Sequence, residues 1–92
     1  MESDEFEWDD AKAKANLKKH KISFREARRV FDDPFAIIEQ DFAEDYGEDR
    51  FLAIGRIEGL LLTVVFTERA NRIRIISARR ANRDEQKSYD HS

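Results

Sequence analysis

The chain has 92 residues, enough for one domain (residues 1–92) and too few for two independent cores. It is 40% apolar and 40% charged with only 1 proline and 3 glycines, a composition that argues against a disordered chain. The net charge of −3 excludes a uniformly basic nucleic-acid binder, and the lack of cysteine excludes disulfides and thiolate chemistry.

The average hides an asymmetry. Residues 1–49 carry 15 acids and 8 bases, whereas residues 50–92 carry 5 acids and 9 bases. A basic face on an acidic body fits this split, and either a nucleic acid or an acidic protein would suit such a face. The acidic opening Met1-Glu2-Ser3-Asp4-Glu5 does not read as a signal peptide. The longest apolar run, Leu60 to Phe66, is interrupted by Thr63 and is far too short to span a bilayer. A cytoplasmic protein with no membrane partner is the simplest expectation.

In chain order, Phe6-Glu7-Trp8 reads as a short strand. Asp9 or Asp10 caps a helix that runs to about Lys19, with Lys18 and Lys19 suited to its C-terminal dipole. His20-Lys21-Ile22 breaks it. Ser23-Phe24-Arg25-Glu26 has the spacing of a capping box and opens a second helix whose buried stripe is Phe24, Ala27, Val30 and Phe31. Asp32-Asp33-Pro34 ends that helix.

Strands follow at about Phe35–Glu39, Phe51–Ile57 and Leu60–Thr67, with a polar loop at Ala43–Asp49 and a tight hairpin at Glu58-Gly59. Arg69-Ala70-Asn71 turns the chain into a last strand, about Arg72–Ala78. Ala81 or Asn82 then opens a final helix to about Tyr89, Asn82 and Glu85 having the spacing of an N-cap and its N3 partner. The expected class is α+β, with two N-terminal helices, an antiparallel meander and a C-terminal helix.

The segment from Arg69 to Arg83 places six arginines in fifteen residues with no acid among them. Alternation puts Ile73, Ile75, Ser77 and Arg79 on one face of its strand and Arg72, Arg74, Ile76, Ala78 and Arg80 on the other, unless a bulge intervenes.

Phe6-x-Trp8-Asp9, Lys12-x3-Asn16-x2-Lys19-His20, Ser23-Phe24-x-Glu26-Ala27-x2-Val30-Phe31-x-Asp33-Pro34, Arg50, Gly55, Arg74-Ile75-Ile76-Ser77-Ala78-Arg79-Arg80-Ala81, Glu85 and Tyr89 occur in that order over nearly the whole chain. Together they resemble the BrnT family, toxins of bacterial type II toxin–antitoxin systems. The resemblance implies a RelE/ParE-like α+β fold and metal-independent endonucleolytic cleavage of RNA. It further implies neutralisation by a BrnA-like antitoxin, through which alone the toxin would meet operator DNA. No cofactor and no metal site are implied.

Cleavage without metal needs a base for the ribose 2′-hydroxyl, cations around the pentavalent phosphate and an acid for the leaving 5′-oxygen. Arg79 and Arg80 are the natural phosphate clamps, with ion pairing to the acidic half or to the antitoxin as their bland alternative. Arg50 reaches the same pocket or bonds Asp45, Glu48 or Asp49. Glu68 accepts a proton or orients an arginine. His20 is the candidate acid or base, or a helix-end residue bonded to backbone. Lys19, Arg72, Arg74 and Tyr89 are candidate RNA-binding residues; for Arg74 and Tyr89 the alternative is packing. Trp8 suits the core. A non-catalytic module that binds nucleic acid or protein is the rival reading, separated from the first by a cleavage assay.

Overall fold

The computed structural model describes residues 5–42 and 47–91. Its elements are β1 (Phe6–Glu7), α1 (Asp10–His20), α2 (Phe24–Ala27), a 3-10 turn (Arg28–Asp32), β2 (Ile37–Asp41), β3 (Arg50–Ile57), β4 (Leu60–Arg69), β5 (Arg72–Arg80) and α3 (Arg83–Asp90). The expected α+β class holds. The strands form one sheet in the order β1-β5-β4-β3-β2. From β2 to β5 it is the expected antiparallel meander, but β1 pairs with β5 in parallel, so the sheet is mixed. A meander cannot supply that edge; the chain reaches it from the other side of the sheet, before α1.

Local chemistry sets most boundaries. Asp9 accepts from the Lys12 N–H at 3.1 Å and starts α1, while Lys21 ends it in the left-handed conformation (φ 62°) with its N–H on Leu17 O. Capping boxes open α2 at Ser23/Glu26 and α3 at Asn82/Glu85, each satisfying N–H groups that the first turn leaves unpaired. The second helix is shorter than its stripe suggests, tightening to 3-10 geometry after Ala27. β2 starts two residues later than expected because Asp33 holds a turn: its carboxylate accepts from Phe35 N–H at 2.9 Å and its carbonyl from Ala36 N–H at 3.0 Å. β5 runs on to Arg80 because β4 keeps pairing with it there.

Paired residues share a face of a sheet, and their neighbours take the other. One face carries Ala53, Ile57, Leu62, Val64, Phe66, Ile75 and Ala78, and packs on Ile22, Phe24, Ala27 and Val30. Phe31 joins this core through Phe6 and Phe66, ring centroids 5.4 and 5.2 Å apart, and Trp8 packs edge-on against Phe24. Gly55 lies under the 3-10 turn, where an added Cβ would stand 2.8 Å from Val30 Cγ1 and 3.0 Å from Val30 O.

The simple parity of β5 is broken. Val65 pairs with Ser77 but Phe66 pairs with Ile75, so Ile76 is an extra residue. Beyond this bulge Ala78 joins Ile75 on the core face. Ser77 and Arg79 pass to the opposite face, and so part from Ile73 and Ile75.

β1 pairs only with Ile73 and Arg74, which leaves the outer edge of β5 open further along. Asn16 fills it from α1. Its Oδ1 accepts from Ala78 N–H at 3.1 Å, and its Nδ2 donates to Ala78 O at 2.9 Å and to Ile22 O at 3.0 Å. The side-chain amide acts as a one-residue strand, buried to 7% exposure. Removing it strands a buried donor and acceptor, each costing about 1–3 kcal/mol. Asn16→Leu is therefore expected to lose about 2–4 kcal/mol of unfolding free energy in a urea titration. Asn16→Asp, which sets an oxygen against two carbonyls, is expected to be no better; a loss below about 0.5 kcal/mol in either would contradict this role.

Candidate functional site

The face of the sheet away from the core carries Arg50, Leu52, Ile54 and Arg56 from β3, Thr63, Val65, Thr67 and Arg69 from β4, and Arg72, Arg74, Ser77 and Arg79 from β5. Among the described residues α3 covers it, at one end, over the fully buried Ile54 and Thr63. The bulge at Ile76 is what collects Arg74, Ser77 and Arg79 on this one side.

Carboxylates hold most of these arginines in place. Glu7 lies 3.0 Å from Arg74 and 3.8 Å from Arg72. Glu48 lies 3.0 Å from Arg69 and 3.8 Å from Arg50; the alternative partner Asp45 is outside the described residues. Arg79 forms a two-pronged pair with Glu85, 2.7 and 2.8 Å, and its Nη1 also approaches Arg80 O at 3.4 Å. Glu85 further accepts from Thr63 Oγ1 at 2.8 Å and from Asn82 N–H at 2.9 Å. Burial pushes the Glu85 carboxyl up, but the bonds from Arg79, Asn82 and Thr63 outweigh it and hold it below the ordinary carboxylate range. The bond to Glu85 raises Arg79 in turn, against its own burial.

Arg80, adjacent in sequence, pairs with Leu62 rather than Thr63 and leaves the strand on the other side. It is exposed and lines a cleft of about 310 Å³ with Arg56, Gln86 and Asp90. Tyr89 lies beside this cleft under the Arg56 guanidinium, 5.4 Å from ring centroid to Cζ. Its hydroxyl donates to Asp33 at 2.6 Å, a bond that, with burial, raises the phenol. Asp33 also accepts from Arg56 N–H at 2.8 Å; burial works upward on its carboxyl, and the bonds from Tyr89, Arg56 and Phe35 bring it below its ordinary value.

His20 and Lys19 come together with Lys12, Asn16, Ile76 and Ser77 around a shallow cleft of about 240 Å³ at the edge of β5. Glu68 is elsewhere. It pairs with Ile73 on the core-side face and borders an apolar groove with Phe31, Ile38, Phe51 and Phe66. Apart from Glu68, the expected residues thus fall into three places: the open face with Arg50, Arg72, Arg74 and Arg79, the edge cleft with Lys19 and His20, and the far cleft with Arg80 and, beside it, Tyr89. Arg56 escaped the sequence reading although alternation from Arg50 places it on the same face. Lys12 and Ser77 escaped it because only the packing of α1 on β5 joins them.

Folding lowers the Glu85 carboxyl, so its stabilisation is complete above the model-peptide value of 4.5 and lost as pH falls through the lower folded value. The thermal stability of the wild type is expected to fall as pH drops below about 4.5, and Glu85→Gln to flatten that limb. At pH 7 Glu85→Gln is expected to cost about 1–3 kcal/mol. An acid limb identical in the variant would show that the pair contributes nothing.

No curated protein matches the chain. The family described as "Ribonuclease toxin, BrnT, of type II toxin-antitoxin system" matches residues 8–85, a span that takes in α1, the whole sheet from β2 to β5 and the start of α3. With most of its length so matched, the chain belongs to the BrnT family, the ribonuclease toxins of type II toxin–antitoxin systems.

Proposed function

We propose that the chain cleaves single-stranded RNA endonucleolytically without a metal ion, across the open face of its sheet, and that a BrnA-like antitoxin silences it by covering that face. The observation that carries this reading is the gathering of His20, Lys19 and Lys12 with Ser77 at the rim of the face that bears Arg72, Arg74 and Arg79. Cations already surround the place where a phosphate would lie, which is the charge compensation that phosphodiester cleavage demands. The α+β class and the antiparallel meander from β2 to β5 support a RelE/ParE-like fold for this reading. The antitoxin would link the toxin to operator DNA, and the cytoplasm is where such an enzyme meets RNA.

In this mechanism a base takes the proton of a 2′-hydroxyl, the freed oxygen attacks phosphorus, the bond to the 5′-oxygen breaks and an acid protonates that oxygen. The products are a 2′,3′-cyclic phosphate and a 5′-hydroxyl. His20 is the group we assign to proton transfer, because imidazole both gives and accepts protons. Lys19 and Arg74 bind the phosphate and its neighbour; Arg72 and Arg50 extend the positive field, and Arg79 stabilises charge from its fixed position on Glu85. Glu68, on the other face, has no part in this cluster. The Tyr89 hydroxyl is engaged by Asp33 and serves position, not proton transfer.

The carboxylate pairing of Arg74 and Arg79 favours one rival, a binding module in which these arginines are structural. A cleavage assay separates the two. The purified chain is expected to cut RNA in excess EDTA and leave cyclic phosphate ends, and His20→Gln, folded by circular dichroism, to lose about 10²–10⁴-fold in rate. Cleavage that needs added magnesium, or a His20→Gln variant as fast as the wild type, would defeat this mechanism. Arg79→Ala is the poorer probe, because it also leaves Glu85 buried without its cation.

A further inference from the structure

Among the arginines of the sheet, Arg50, Arg69, Arg72, Arg74 and Arg79 each have a carboxylate within 4 Å. The guanidinium groups of Arg56 and Arg80 have no carboxylate oxygen within 4 Å among the described residues, although the Asp33 carboxylate feels the Arg56 charge from further away, and these two arginines line the same cleft of about 310 Å³. Arg80 comes from the end of β5 and Arg56 from the end of β3, so the two cations reach the cleft from separate strands. The cleft is built rather than incidental. Asp33 fixes the Arg56 backbone through its N–H and fixes the Tyr89 ring through its hydroxyl, and the ring in turn supports the guanidinium from below. Arg56 Nη1 touches Gly59 O at 3.5 Å, and Gln86 is tied to Ala81 O at 3.3 Å, so these two lining side chains are held before any ligand arrives.

We propose that Arg56 and Arg80 form a second phosphate-binding subsite, which grips a phosphodiester of the RNA strand away from the bond that is cut. This rests on RNA being the substrate. Two guanidinium forks converging on one cleft suit the oxygens of a phosphate. Asp90 also lines the cleft, so a free inorganic anion gains little there. A polyanion already held on the open face brings its next phosphates without that disadvantage. Ser77, at the edge cleft, and Arg80 are three residues apart on β5, about 10 Å along the strand but on opposite faces, so an RNA strand that meets both passes round the end of β5. The subsite therefore contributes affinity and sets how the RNA lies, while proton transfer remains at the other cleft.

The test is equilibrium binding of the full chain to a single-stranded oligonucleotide with 2′-deoxy sugars throughout, which cannot be cut, across a series of salt concentrations. Arg56→Gln/Arg80→Gln is expected to bind about tenfold more weakly, with the slope of log K against log salt less negative by about 0.7 for the phosphate released. Arg80→Gln alone, at an exposed position that does not risk the fold, should give part of the same change. Arg29→Gln, whose side chain pairs with Glu58 on the 3-10 turn's side, should leave the slope unchanged. A double variant with wild-type affinity and slope would overturn the subsite. So would one that binds the oligonucleotide normally but loses the antitoxin, since the cleft would then serve an acidic protein segment. Should the wild type bind with the expected slope yet never cut RNA, the subsite stands and the cleavage reading fails.

Discussion

A strand must find partners for its N–H and C=O groups on both sides, and among the described residues β5 has a full-length neighbour on only one. Two residues of β1 satisfy the first part of its outer edge, and the Asn16 amide satisfies Ala78 further along. That small arrangement settles much else. Asn16 can reach Ala78 only if α1 lies along the edge of the sheet, and α1 so placed turns Lys12, Lys19 and His20 toward Ser77. The same residue that completes the sheet therefore brings an imidazole to the arginine-bearing strand.

The bulge at Ile76 is the second constraint. Strict alternation would have carried Arg79 to the core face with Ile75, where an unpaired guanidinium is costly. One extra residue reverses the parity. Ala78 then fills the core, and Arg79 moves to the open face, where Glu85 meets it. Glu85 caps α3, accepts from Thr63 and holds Arg79, so the position of the last helix and the direction of the arginine come from a single carboxylate. A buried pair of this kind adds little net stability but fixes geometry, because either partner alone would be an uncompensated charge.

Asp33 does for the far end what Glu85 does for the centre. It stops a helix, holds the turn into β2, secures β3 at Arg56 and anchors Tyr89 of α3. Read along the chain it is one of two acids before a proline. In space it ties three separated segments and sets the floor of the cleft at Arg56 and Arg80.

Much of this protein was legible in its residues alone, where the determining interactions are local. Both capping boxes, the α1 stop at Lys21, the Glu58-Gly59 hairpin and the α+β class follow from side chains that act within three or four positions. The family resemblance was legible too, because its motifs lie in order along the chain. What only tertiary structure decided are the contacts between residues far apart: β1 parallel to β5, Asn16 on Ala78, Tyr89 on Asp33. Neighbours in sequence such as Arg79 and Arg80 were separated for the same reason. Alternation is a local rule, but the bulge that inverts it arises from the demand of the core for Ile75 and Ala78 on one side, a demand that exists only once the helices have packed.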